Sequence, residues 1–233
     1  MASRKAPHPE ERPKGASRRT HDLHPALGAE GLAATINVSR ETLARLQIYA
    51  DLLAAWNKRI NLVGTRTLED VWRRHIFDSA QLLPLIPSSA RVLVDLGSGA
   101  GLPGLVLAIL GVPEVHLVEA DTRKCAFLRE AARVTQTTVA LHAERLERIA
   151  GFAADVITAR ALAPLELLLD HAERFIAPHS LLLFLKGNGV PEELTQARKG
   201  WRMREMLHPS VSDPSGVVLQ LEEVSRVGAH AAG

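Results

Sequence analysis

Residues 92–104 read Val-Leu-Val-Asp-Leu-Gly-Ser-Gly-Ala-Gly-Leu-Pro-Gly, an apolar run that ends in an acid and is followed by glycine at every second position. Glycines at 97, 99 and 101 let the backbone turn sharply and let a ligand lie against it, and the free amides opening a following helix attract negative groups. Gly99, Gly101 and Gly104 also satisfy the G-x-G-x-x-G spacing of dinucleotide-binding turns, and a plain strand-to-helix connection uses the same residues. Spacing alone therefore leaves the ligand open. Asp95 discriminates: at the strand end just before the first glycine, its carboxylate repels a pyrophosphate and attracts an ammonium. S-adenosyl-L-methionine carries an ammonium and a carboxylate on one amino-acid portion, so it suits an acid beside bare amides better than NAD does.

Other residues could complete such a site. Glu119 ends the run Val115-His-Leu-Val, about 20 residues beyond the turn, where a carboxylate can accept from ribose hydroxyls. Arg160 and Lys186 each close a further apolar run, at the edge where open α/β sheets bind ligands. His75 and Asp78, three apart, can share one helix face, and Arg73 and Arg74 make that helix basic; a solvated patch is the plainer alternative. Cys125 lies among apolar residues of a helix expected over 122–135, where a lone cysteine acts as a small hydrophobe. With no cysteine late in the chain, methylation at pyrimidine carbon 5, which uses a thiol adding to the ring, is disfavoured, whereas a nucleophilic nitrogen needs no thiol.

The elements that must hold these residues follow from periodicity. Apolar runs at 91–96, 115–120, 137–143, 155–161, 181–185 and 217–224 alternate with helical segments, which implies crossover units and a doubly wound, Rossmann-like α/β domain with a mainly parallel sheet over 88–226. Upstream, Leu43, Leu46, Ala50 and Leu53 recur at helical spacing behind a capping Ser39, and a second helix is expected from Thr67 towards Pro84. Residues 31–87 thus form a helical extension. Residues 1–30, with Pro7, Pro9, Pro13 and Pro25, many charges and few large apolar groups, read as a disordered basic tail.

Composition sets outer bounds. A formal charge of +2 over 233 residues excludes a general polycation, so contact with nucleic acid must come from local patches. One cysteine excludes a disulfide framework and a multi-cysteine metal cluster and fits a cytoplasmic home. The apolar stretch around Leu102–Val112 is interrupted by Pro103, Gly104 and Gly111 and is too short to span a bilayer.

Taken together, Trp56-Asn57-Lys58, Asn61-Leu62, Arg74-His75-Ile76, Asp78-Ser79, Asp95 to Gly104, Arg145-Leu146-Glu147, Ala159-Arg160-Ala161 and Leu185-Lys186-Gly187 resemble the ribosomal RNA small subunit methyltransferase G family, in its order and approximate spacing over residues 30–222. The resemblance implies a class I methyltransferase with an N-terminal helical extension. It implies transfer of a methyl group from S-adenosyl-L-methionine to N7 of one guanine of 16S ribosomal RNA. Free RNA or a small-subunit precursor as partner, a monomer and no metal are the accompanying expectations. It further implies that Gly97 and Leu102 line the cofactor site, that Leu146 and Glu147 flank the adenine, and that Arg160 stands beside the reaction centre. The sequence departs from the family in a longer tail, in Glu119 where Asp is commoner, and in Asp213-Pro-Ser-Gly216, which lacks a basic residue before the last strand. A methyltransferase of another RNA, protein or small molecule, and a non-catalytic RNA-binding assembly factor, are the competing readings.

Overall fold

The computed structural model describes residues 28–228. The first five apolar runs pair in parallel because the crossovers that join them are long enough to return to the same edge. Strands β1 (Val92–Leu96), β2 (Glu114–Val118), β3 (Ala140–His142), β4 (Ala154–Arg160) and β5 (Ile176–Lys186) are parallel. Strands β6 (Trp201–Pro209) and β7 (Val217–Arg226) complete the sheet antiparallel, in the order β3-β2-β1-β4-β5-β7-β6. Strand β6 is missing from the six runs expected above. It is the sheet edge and buries only Trp201, so its charged residues never form an apolar run.

Upstream lie α1 (Ala29–Ile36) and α2 (Arg40–Asn57). Ser39 caps α2, its hydroxyl oxygen accepting from the Thr42 amide at 3.1 Å. Most of the tail expected at 1–30 lies outside the described residues, while Ala29 and Glu30 already belong to α1. The single helix expected from Thr67 towards Pro84 is broken. A 3-10 turn (Thr65–Asp70), a π-helical turn (Trp72–Phe77), the short α3 (Asp78–Ala80) and a 3-10 turn (Leu83–Leu85) replace it. Pro84 cannot donate to the helix ladder, and the wide π turn sets Arg74, His75 and Asp78 towards the end of β4.

Helices α4 (Gly104–Ile109) and α5 (Thr122–Val134) cover one face of the sheet, and α6 (Leu165–Ala172) and α7 (Val190–Ala197) the other. On the first face Leu46, Tyr49 and Leu53 of α2 join Leu105, Phe127, Leu128 and Val156 in one buried cluster. The Phe127 ring lies 6.3 Å from Tyr49 and 5.7 Å from Trp56, the latter edge-on. Each such buried side chain contributes about 1.5–3 kcal/mol, so the extension shares the core of the sheet and is not a detachable arm.

Tyr49 also reaches the glycine turn, its buried hydroxyl donating to the Ala100 carbonyl at 2.8 Å, and burial pushes its phenol pKa up. Tyr49→Phe leaves that carbonyl without its partner. The expected loss is about 1–3 kcal/mol, read as a lower denaturant midpoint at unchanged m-value. An unchanged midpoint would mean that the bond contributes nothing to anchoring the turn.

Candidate active site

The strand order reverses between β1 and β4, so their C-terminal ends flank a crevice at a topological switch point. The glycine turn leaves β1 there. Gly97 and Gly99 have φ of +65° and +57°, in the left-handed region that side chains rarely adopt. A Cβ on Gly97 would stand 2.5 Å from Leu162 Cδ1, the end of an exposed side chain that can turn away, so it is the positive φ that favours glycine here. A Cβ on Gly99 would meet only the Gly97 carbonyl, at 3.8 Å, because this residue faces open space where a ligand can lie on the backbone.

Glu119 closes the turn from β2. Its Oε2 accepts from the Gly99 amide at 2.9 Å and its Oε1 from the Asp121 amide at 2.7 Å, which fixes the carboxylate yet leaves lone pairs for a ligand. A cavity of about 460 Å³ opens over the turn, lined by Gly97, Gly99, Leu102, Glu119, Leu146, Glu147 and Arg160. These are the residues expected at the cofactor, apart from Asp95, which stands behind the turn, and Gly101, a turn residue where a Cβ would meet Leu105 and Leu128 of the core. Asp95 is fully buried: Oδ1 accepts from the Thr158 hydroxyl at 2.8 Å and Oδ2 from the Gly104 amide at 3.2 Å. The direct contact with an ammonium expected from its sequence position gives way to a tie between β1, β4 and the start of α4.

A second cavity of about 650 Å³ adjoins the first and is lined by Arg74, His75, Asp78, Arg160 and Lys186, all the residues expected to face a substrate. The two cavities share Leu62, Arg160, Ala161 and Leu162. Arg160 is anchored through one nitrogen, Nη1, which lies 3.3 Å from the Arg74 carbonyl, 3.2 Å from His75 Nδ1 and 3.3 Å from Asp78 Oδ2. Its remaining N–H groups have no protein partner among the described residues.

The hydrogen bonds fix the state of His75. The Thr67 hydroxyl donates its proton to the Gly64 carbonyl at 2.6 Å, so at 2.8 Å from His75 Nε2 it accepts, and Nε2 carries the proton. Nδ1 is then bare and accepts from Arg160. Burial first, then the Arg160 and Arg74 cations, push the His75 pKa down to about 3, so the ring is neutral at pH 7.

The cations expected to meet RNA are less free than their sequence suggests. Arg74 pairs with Asp213 at 2.6 Å, and Arg73 with Asp70 at 2.5 Å and the Ser212 carbonyl at 2.8 Å. Lys186, its side chain only 8% exposed, pairs with Glu193 at 2.6 Å and donates to the Ala163 carbonyl at 2.9 Å. Glu193 also accepts from the Leu165 amide at 2.7 Å, so this pair clamps the loop that follows Arg160. Sequence reasoning missed Leu162 and Thr67. Adjacency to Arg160 was a signal for Leu162, with Ala161 at φ +50° before it, whereas nothing near Thr67 announces its bond to His75.

The profile of the family described as rRNA small subunit methyltransferase G matches residues 42–217. The chain belongs to that family. It is 58% identical to ribosomal RNA small subunit methyltransferase G of Paramagnetospirillum magneticum, over 86% of this chain and 98% of that protein. It is 56% identical to the protein of the same name from Rhodospirillum rubrum, over 84% and 98%. Membership makes this chain an S-adenosylmethionine-dependent ribosomal RNA methyltransferase. Among solved structures, a ribosomal protein L11 methylase of Lactobacillus delbrueckii subsp. bulgaricus superposes with TM-score 0.51 at 18% identity, covering 64% of this chain and 76% of that one. TYW2 of M. jannaschii, solved with AdoMet, superposes with TM-score 0.51 at 15% identity, covering 73% and 80%. At such identity they share the class I methyltransferase fold. No described helix is long and apolar enough to cross a membrane.

Asp95 and His75 make opposite pH signatures. Burial, outweighing the bonds from Thr158 and Gly104, pushes the Asp95 pKa up to about 6 from 3.8, so the folded state binds the extra proton between these values and stability falls as pH rises through that window. His75, lowered from 6.5 to about 3, binds fewer protons when folded, so its contribution rises with pH over 3 to 6.5. In the wild type the two oppose one another between about pH 3.8 and 6. Asp95→Asn should therefore gain on the wild type by about 2–3 kcal/mol between pH 4 and 7, measured by denaturant unfolding at each pH. A pH-independent difference would show that Asp95 titrates normally.

Proposed function

We propose that the protein methylates N7 of a guanine of 16S ribosomal RNA, with the cofactor in the smaller cavity, the guanine in the larger one, and Arg160 at their junction. The observation that carries this is the shared wall: Leu62, Arg160, Ala161 and Leu162 belong to both cavities. S-adenosylmethionine supplies an electrophilic sulfonium methyl group. The bare backbone at Gly99 and the fixed carboxylate of Glu119 suit its amino-acid and ribose portions, and Leu102, Leu146 and Glu147 line the rest of the cavity. Asp95 acts from behind the turn, holding it in shape.

Guanine N7 carries a lone pair, so no base need remove a proton before attack. The residues orient and exclude water, and positioning alone can contribute about 7–11 kcal/mol. His75, neutral and accepting through Nδ1, and Asp78 hold the guanidinium of Arg160, whose free N–H groups can donate a planar pair of bonds to guanine O6 or a flanking phosphate. On this proposal the enzyme is cytoplasmic, monomeric and metal-free, and its substrate is 16S ribosomal RNA or a precursor of the small subunit.

Two variants separate binding from transfer. Gly99→Val places a branched side chain over the turn at a φ of +57° that strains it, and should abolish S-adenosylmethionine binding in calorimetric titration while the buried sheet keeps the protein folded. Arg160→Lys keeps the charge but loses the planar fork. It should bind S-adenosylmethionine nearly normally yet lose methyl transfer tenfold or more, about 1.4 kcal/mol. Collapse of cofactor affinity in Arg160→Lys would assign the arginine to the cofactor pocket instead.

A further inference from the structure

The cations lining the larger cavity are each held by a carboxylate: Arg74 by Asp213, Arg160 by Asp78 and Lys186 by Glu193. A polyanion drawn to this cavity must find its unpaired positive charge elsewhere. Residues 52–68, from the last turn of α2 into the 3-10 turn, contain Lys58, Arg59 and Arg66 and no acid. All three are exposed, and none has a salt bridge or side-chain hydrogen bond among the described residues.

The loop bearing them is preorganised. The Asn57 carboxamide oxygen accepts from the amides of Leu62 and Val63, each at 2.9 Å, while its Nδ2 donates to the Val63 carbonyl at 3.0 Å. That internal cap turns the chain back so that Leu62, Val63, Gly64 and Thr67 line the larger cavity, with Leu62 reaching the smaller one as well. The loop therefore presents one side to the cavities and carries its three cations exposed.

We propose that residues 58–66 form a docking surface for the phosphate backbone of the ribosomal RNA strand flanking the target guanine, with Lys58, Arg59 and Arg66 as the phosphate contacts. This rests on the functional reading above. Point charges on a fixed loop beside the cavity would set the register of the strand without reading its bases, a role distinct from that of the paired cations inside. Each phosphate neutralised releases counterions, so the assignment has a thermodynamic signature that packing roles lack: a slope of log affinity against log salt of about 0.7–0.9 per contact.

The test uses the full chain and small ribosomal subunits from cells lacking the protein, with affinity measured across a potassium chloride series and methyl transfer measured alongside. Combined Lys58→Ala, Arg59→Ala and Arg66→Ala should reduce the magnitude of the slope by about two to three, and S-adenosylmethionine affinity should stay within about twofold. The charge-preserving set Lys58→Arg, Arg59→Lys and Arg66→Lys should keep the wild-type slope. A control removing the exposed Arg91, Arg129 and Arg202, none of which lines either cavity, should also keep it. An unchanged slope in the first variant, with wild type binding and methylating normally, overturns the docking surface alone. Equal loss of cofactor and subunit affinity overturns it too, by making the loop a support for the fold. A wild type that methylates nothing in the particle overturns the functional reading and this inference with it.

Discussion

Arg160 Nη1 meets three acceptors, the Arg74 carbonyl, His75 Nδ1 and Asp78 Oδ2, and all three belong to the helical extension, whereas the arginine itself ends a strand of the sheet. One side chain thus ties the two parts of the molecule together at the point where the two cavities meet, in addition to the core they share. The remaining geometry supports that contact. The π-helical turn widens the backbone so that residues 74, 75 and 78 converge, Thr67 selects the histidine tautomer that can accept, and the Lys186–Glu193 pair holds the loop after Arg160. Removing one partner of such a partly buried arrangement leaves an uncompensated charge or donor, which is costlier than losing an exposed pair.

The glycine turn depends on a second buried tie. Asp95, Thr158 and Gly104 link β1, β4 and α4 below the turn, and Tyr49 links α2 to it from the side. A carboxylate in this position raises its own pKa because burial disfavours the charge more than its bonds favour it. The turn can therefore leave Gly99 bare without losing its shape.

Much of this was legible in sequence, for identifiable reasons. The parallel strands are buried on both faces and read as apolar runs, and the glycine spacing at 97, 99 and 101 announces a turn with positive φ. Ser39 announces the start of α2 by the capping chemistry of its side chain. Strand β6 escaped because an edge strand that buries one tryptophan has no apolar signature. The π turn has no local signature in this sequence, and the partners of Arg74 and Lys186 lie at Asp213 and Glu193, where the sheet order brings them. Local spacing told which residues carry charge; it could not tell which charges are already paired. Nor does spacing show that the Asp95 carboxylate is fully buried and tied to Thr158 and Gly104, away from the residues that line the cofactor cavity.

The central claim is that a methyl group crosses from the smaller cavity to a guanine nitrogen in the larger one at the Arg160 junction. It is tested most directly by supplying methyl-labelled S-adenosylmethionine and the purified protein to small ribosomal subunits or 16S ribosomal RNA from cells lacking the protein, then mapping labelled nucleosides by mass. The account predicts label in 7-methylguanosine at a single position. Label on another atom or nucleoside, or none in the RNA while the protein still binds the cofactor, would contradict it.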